Sequence, residues 1–294
     1  MKTRLILGFA IAILTIGCSK NDDSEKSTIT QEEATINAKI DIANDDVSNI
    51  VEEQESNSYA NTSGRYSDSS TSLLSDCAYI TRVPAFGTPL TPGETVTKTI
   101  DFSHFSADGC TLANGNVLKG KVIITFVFQP NAPTHTITYT FDNFYHNAIK
   151  IVGTKTFTRV MSVATANSPS HPIVTMNMDL TATFPNGNSY TRVGQRVREI
   201  VQGFETASWT DNVFQVTGSW TTSFPNTTVQ TSTITSPLLV KMSCVAENKP
   251  LLVQGVITFT RNNNNATLDY GNGICDNIAV FTINGNSHTI IIGN

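Results

Sequence analysis

The chain has 294 residues, of which 39% are hydrophobic and only 15% charged. Its 24 acids against 19 Lys and Arg give a formal net charge of -5. No basic footprint of the kind that neutralises phosphates is present, which argues against nucleic acid as a partner.

Lys2 and Arg4 precede an almost uninterrupted apolar run, residues 5–16, that ends at Gly17 and Cys18. This is the form of a secretory signal, and the run is too short for a transmembrane helix, which needs about 20 residues. Leu14-Thr15-Ile16-Gly17-Cys18 resembles the lipobox of bacterial lipoproteins, with Thr15 where an aliphatic residue is usual. The resemblance implies removal of residues 1–17 and a diacylglyceryl and N-acyl lipid on Cys18. Such a lipid attaches a protein to a membrane at about 0.8 kcal/mol per buried methylene. No other segment is long and apolar enough to span a bilayer.

Residues 18–76 read as an acidic tether. Asp22, Asp23, Glu25, Glu32, Glu33, Asp41, Asp45, Asp46, Glu52, Glu53 and Glu55 face only Lys20, Lys26 and Lys39 as far as residue 56, whereas residues 57–294 carry 13 acids against 14 bases. Ser19-Lys20-Asn21-Asp22-Asp23 resembles the surface-export signal of Bacteroidota lipoproteins, implying display on the outer face of the outer membrane; the alternative is a solvated linker. Thr30-Gln31-Glu32-Glu33 has the form of a capping box, and Ala34, Ile36, Ile40, Val47, Ile50 and Val51 recur near helical spacing, so a helix is expected near 30–54. Residues 56–75, rich in Ser, Thr and Asn, read as a flexible linker.

From residue 77 onward the period is two. Ile137, Tyr139 and Phe141 alternate with Thr136, Thr138 and Thr140, and Met176, Met178, Leu180, Ala182 and Phe184 with Asn177, Asp179, Thr181 and Thr183. Such alternation means strands with one buried face. Similar runs cover 120–128, 149–160, 214–222, 229–240, 252–260, 277–283 and 288–292. Pro185-Asn186-Gly187-Asn188, residues 262–265 and Asn284-Gly285-Asn286 are hairpin signals. The expected class is mainly β: an antiparallel meander forming a sandwich, a barrel or a wide curved sheet, preceded by a short helix. Its outward positions are rich in Thr, and its edges need covering, a role the helix could fill.

Four cysteines remain after Cys18, an even number that suggests disulfides in an exported chain. Cys77 is followed by a strand ending Thr81-Arg82, then Thr99-Ile100-Asp101-Phe102 and Gly109-Cys110. Cys244 is followed by a strand ending Thr260-Arg261, then Thr267-Leu268-Asp269-Tyr270, Gly273 and Cys275. One unit used twice predicts Cys77 with Cys110 and Cys244 with Cys275. A zinc site would need close Cys pairs, which the chain lacks. Ile100-Asp101-Phe102, Gly109-Cys110, Lys119-Gly120-Lys121-Val122-Ile123-Ile124, Gly153-Thr154-Lys155-Thr156 and the run from Asp269-Tyr270-Gly271 to Cys275-Asp276-Asn277 together resemble a family of uncharacterised Bacteroidota lipoproteins. That resemblance implies fold and location and carries no activity.

Catalytic signals are sparse. His104, His135, His146, His171 and His288 are scattered, with no HExxH, no nucleophile elbow and no phosphate-cradling loop. Glycoside hydrolysis needs two opposed carboxylates about 5 to 9 Å apart, and Asp101, Asp142, Asp179, Glu199, Glu205, Asp211 and Asp269 are the strand candidates, unpaired by any pattern. Asp101 and Asp269 read as turn caps, and the 269–277 run lacks full EF-hand spacing for calcium. A binding module asks less: an aromatic platform on a polar rim. Trp209, Trp220, Tyr190, Tyr145 and Phe204 are the aromatic candidates; Trp220 is in phase with Phe214 and Val216 and reads as core, leaving Trp209 favoured. Arg196 and Arg198 share one strand face and would hold a carboxylate or, more simply, keep that face soluble. The expectation is an outer-membrane, surface-displayed lipoprotein with a β-rich binding or scaffolding domain, no cofactor beyond its lipid, and a glycan or protein ligand. The alternative is an extracytoplasmic hydrolase acting on glycans.

Overall fold

The computed structural model describes residues 28–60, 73–74, 76–130, 132–165, 169–206 and 208–292. The signal, Cys18, the Ser19 to Asp23 motif and most of the expected linker lie outside them. One long helix, α1 (Gln31–Ala60), is followed by fourteen strands: β1 (Tyr79–Val83), β2 (Thr95–Asp101), β3 (Cys110–Thr111), β4 (Val117–Val127), β5 (Thr134–His146), β6 (Ile149–Met161), β7 (Pro172–Thr183), β8 (Ser189–Gln202), β9 (Val213–Ser223), β10 (Val229–Lys241), β11 (Leu252–Arg261), β12 (Asn264–Asn272), β13 (Ile278–Ile283) and β14 (Asn286–Ile291). A short 3-10 helix, Met242–Glu247, joins β10 to β11.

The strands form a single antiparallel sheet in sequence order, with β3 off the path against β4. The sheet does not close into a barrel; β1 and β14 are its edges. Of the three forms open to the sequence, the structure is the wide curved sheet. Alternation builds it as expected: in β7, Val174, Met176, Met178, Leu180 and Ala182 are buried while Asn177 and Asp179 are exposed. Outward Thr pairs cross-link strands, as in Thr181 to Thr191 at 3.0 Å and Thr235 to Thr258 at 2.9 Å. Hairpin turns fall where Asn and Gly tolerate positive φ, at Asn262 (46°) and Asn263 (66°) and at Asn284 (49°) and Gly285 (78°).

Curvature comes from bulges. Register slips occur between Lys119 and Lys121 of β4, between Thr140 and Phe144 of β5, and between Ile234 and Leu239 of β10. Such slips raise local twist and bend a sheet. Gly120 sits in the first of them at φ 74°, where a Cβ would lie 2.0 Å from the carbonyl oxygen of Asn143.

The curved sheet surrounds α1. Every residue from 40 to 51 is buried, which an ordinary one-sided surface helix cannot achieve. Inward side chains from β2, β5, β6, β8, β11 and β12 all reach it. The division into an acidic tether and a separate body therefore does not hold for residues 31–58: this segment is the centre of the domain, not a solvated spacer or an edge cover. The helix also runs past residue 54, and the linker reading fails for residues 56–58. Its N-terminus is capped as the sequence predicts. Thr30 N donates to Glu33 Oε2 at 3.0 Å, and Glu33 N to Thr30 Oγ1 at 3.2 Å.

The disulfides join Cys77 to Cys110 and Cys244 to Cys275, the pairing expected from the repeated unit. Asp101 and Asp269 each accept a backbone N–H two residues on, from Ser103 and Gly271, both at 2.9 Å.

A candidate cavity beside a buried charge lattice

The acids of α1 are matched, one after another, by bases on the concave face. Asp41, wholly buried, accepts from Arg192 Nη1 at 2.5 Å, from Arg196 and from the Tyr270 hydroxyl at 3.2 Å. Arg192 also donates to Asn37 at 2.7 Å, and Arg196 lies 3.5 Å from Asp45. Arg198 takes Glu52 at 3.2 Å and Asn49, while Arg261 takes Glu33 at 2.9 Å. Asp46 accepts from Asn114, Asn116 and His146, each at 2.8 Å. Lys155 donates to Asn44 and to Ser48 Oγ, and Lys98 to the Gln54 carbonyl at 2.5 Å. Aromatic faces cover the cations: Trp220 lies 4.1 Å from the Arg196 guanidinium and Phe214 3.6 Å from that of Arg198.

Burial disfavours charge even in this paired setting. It brings the Lys155 ammonium down to about 7, helped by neighbouring Arg196, and Lys98 down to about 8, helped by Arg82. It raises Asp45, Glu52 and Glu55 above the usual carboxylate range, with Arg196, Arg198 and Arg159 respectively opposing the rise.

At the C-terminal end of α1 the packing opens into a cavity of about 260 Å³. Glu52, Glu53, Glu55 and Arg159 supply its charged wall; Phe157, Phe204, Trp209 and Phe214 are its aromatic residues. The β8–β9 connection, with Gly203, Thr206, Ser208 and Asn212, closes one side. Glu55 Oε2 accepts from Arg159 at 3.1 Å, but its Oε1 has no hydrogen bond and lies 4.0 Å from His135 Nδ1. Trp209 Nε1 and Asn212 Oδ1, on the same wall, are likewise buried without a hydrogen-bond partner.

The residues singled out from sequence divide clearly. Trp209 and Phe204 line the cavity. Trp220 and Tyr190 are core, 2% and 4% exposed. Tyr145 lies elsewhere, near Lys150 on the β5–β6 hairpin. Arg196 and Arg198 do share a face, but it is the buried one: at 0% and 2% exposure they hold the protein's own carboxylates, so neither the solubility reading nor an external ligand fits them. None of the strand carboxylates borders the cavity. The acids that do belong to the helix, and sequence reasoning missed them because they were assigned to a solvated segment. Among the described residues no group of three or more His, Cys, Asp or Glu could hold a metal ion.

No known protein family, no curated protein and no solved structure matches this chain.

Proposed function

We propose that this is a membrane-anchored lipoprotein whose β-rich domain binds a ligand in the cavity at the C-terminal end of α1, on the cell surface. The observation that carries the reading is the polarity of the helix. Thr28, the first described residue, is ten residues after Cys18. A lipid on Cys18 would attach the domain through the N-terminal end of α1, beside Glu33 and Arg261, the end opposite Glu55 and the cavity.

Hydrolysis of glycans is the weaker alternative. Its two carboxylates would have to come from Glu52, Glu53 and Glu55, yet these lie within one turn of a single helix, with Glu52 and Glu55 each bound to an arginine, rather than opposed across a bond. Two measurements test the proposal. Metabolic labelling with an alkyne fatty acid should mark the wild type and not Cys18→Ala. A membrane-impermeant amine reagent applied to intact cells should label the wild type and fail on the Asp22→Ala, Asp23→Ala variant. An unlabelled wild type on intact cells that becomes labelled once the outer membrane is permeabilised would place the domain inside and overturn surface display.

A further inference from the structure

We infer that Lys155 and Asn44 form an amide cross-link between the sheet and α1, with Asp45 moving the proton and ammonia as the second product. The inference is independent of the cavity at the C-terminal end of α1 and of any ligand there.

Lys155 stands on β6, on the same inward face as Ile151 and Phe157, and is buried. Arg192, Arg196, Arg198 and Arg261 each meet a carboxylate of the helix. Lys155 instead donates to the side-chain carbonyl oxygen of Asn44 and, at 3.2 Å, to Ser48 Oγ. The carbonyl carbon of that amide is one bond from the oxygen Lys155 touches. The rings of Tyr139 and Phe157, both fully buried, lie 5.4 and 5.3 Å from the Lys155 nitrogen. An amine held against an amide in a shell that excludes water has no hydrolytic competitor, and proximity offsets the low reactivity of the amide. Burial also brings Lys155 down to about 7, so at neutral pH about half of it is free amine, the nucleophilic form.

Asp45 is placed to move the proton. Its Oδ1 accepts from Asn44 Nδ2, the nitrogen that must leave, at 3.3 Å. Its Oδ2 is buried without a hydrogen-bond partner. Burial raises the carboxyl above the usual carboxylate range, against the opposing pull of Arg196 at 3.5 Å, and so favours the protonated form that can act as an acid. The lone pair of Lys155 Nζ attacks Cγ of Asn44. Asp45 gives its proton to Nδ2 as the Cγ–Nδ2 bond breaks, and the proton shed by Nζ returns to Asp45. One C–N bond forms, one breaks, ammonia leaves, and nothing is oxidised or reduced. Ammonia is about the size of water. A void of about 10 Å³, bordered by Asn44, Lys155, Tyr139 and Phe141, has room for one such molecule.

The bond would join residues 111 positions apart. The disulfides tie Cys77 to Cys110 and Cys244 to Cys275, all beyond α1, so the helix is otherwise joined covalently to the sheet only through residues 61–78. In a chain anchored at Cys18, a pull on the lipid reaches α1 first, and the cross-link passes it directly to β6. Reacted Lys155 carries no titrating proton, so its titration belongs to the unreacted chain.

The test is a peptide map of the full-length lipidated protein, purified in detergent, reduced, digested with trypsin and sequenced by tandem mass spectrometry. The expected result is no cleavage after Lys155 and a branched peptide that joins the Asn44 and Lys155 segments and is lighter than their sum by about 17 Da, one ammonia. Lys155→Arg, which keeps the charge and removes the nucleophile, should return the two segments separately at full mass. Asp45→Asn, checked for folding by near-ultraviolet circular dichroism, should lower the linked fraction about tenfold or more. The wild-type map decides the bond without any variant: separate segments at full mass overturn the inference. A loss of about 17 Da confined to the Asn44 segment and persisting in Lys155→Arg also overturns it, because Asn44 has then closed on its own backbone. A branched peptide lighter by about 18 Da, one water, joins Lys155 to a carboxylate such as Asp45 or Glu52 and overturns the choice of Asn44. An undiminished link in folded Asp45→Asn overturns the role given to Asp45.

Discussion

Replacing Asp41 by Asn isolates the electrostatic hold of the sheet on α1 at nearly constant shape. The carboxylate accepts from Arg192, Arg196 and Tyr270 and has no exposed surface. The amide keeps one acceptor oxygen and turns an NH2 group toward the guanidinium groups, so Arg192 retains Asn37 and Arg196 retains only Asp45 at 3.5 Å. Removing one partner of a buried ion pair costs about 3–5 kcal/mol, mostly through the charge left behind. For a domain of this size each kcal/mol lowers Tm by about 2–4 °C, giving a fall of about 6–20 °C. Thermal melts followed by circular dichroism, with urea midpoints as an independent measure, would read it. Glu32→Gln, on the exposed first turn of the same helix, is the control and should stay within about 0.5 kcal/mol. Adding Arg196→Met to Asp41→Asn should recover part of the loss, because the orphaned charge is gone. A loss below about 1 kcal/mol for Asp41→Asn would refute the view that these contacts, rather than apolar packing alone, fix the helix in the sheet.

Three further outcomes follow from the same structure. Unreacted Lys155 is held at about 7 by burial against an unfolded value of 10.5, so between those values the unfolded chain carries a proton the folded chain lacks. Its contribution to stability therefore rises with pH by about 1.4 kcal/mol per unit across that window and is lost as pH falls toward 7; in Lys155→Met, urea midpoints from pH 7 to 10 should lose that slope. Each disulfide closes a loop, of separation 33 for Cys77 to Cys110 and 31 for Cys244 to Cys275; Cys244→Ser with Cys275→Ser should cost about 2–5 kcal/mol in urea unfolding, and reductant should then have little further effect on that end. Gly120→Ala forces a Cβ onto the Asn143 carbonyl at positive φ, and should cost more than about 3 kcal/mol or prevent folding, measured by soluble yield and near-ultraviolet circular dichroism.

Strand by strand, the sheet was legible because its physics is local. Alternation in β7, the Asn262-Asn263 and Asn284-Gly285 turns, and the Thr30 to Glu33 cap each express themselves within a few residues. The placement of α1 was not legible, because it depends on a match between residues 44 to 229 positions apart. Asp41, Asp45 and Asp46 read as solvated, since isolated acids are almost never buried unless paired.

The cue lay in the parity of β8. Tyr190, Arg192, Arg196, Arg198 and Ile200 stand an even number of residues apart, so period two puts the arginines on the same face as two apolar residues, and all five are buried. An inward row of arginines cannot stay unpaired. Residues 57–294 have nearly equal acids and bases, so they offer little surplus acid to meet that row, whereas the residues up to Glu55 carry an excess. Parity on the strand and charge surplus on the helix together imply that the acidic segment enters the sheet. The cavity then follows: it opens where that lattice ends, between Glu55 and the β8–β9 connection, and its wall combines helix acids with Trp209, residues that sequence reading had placed in different parts of the protein.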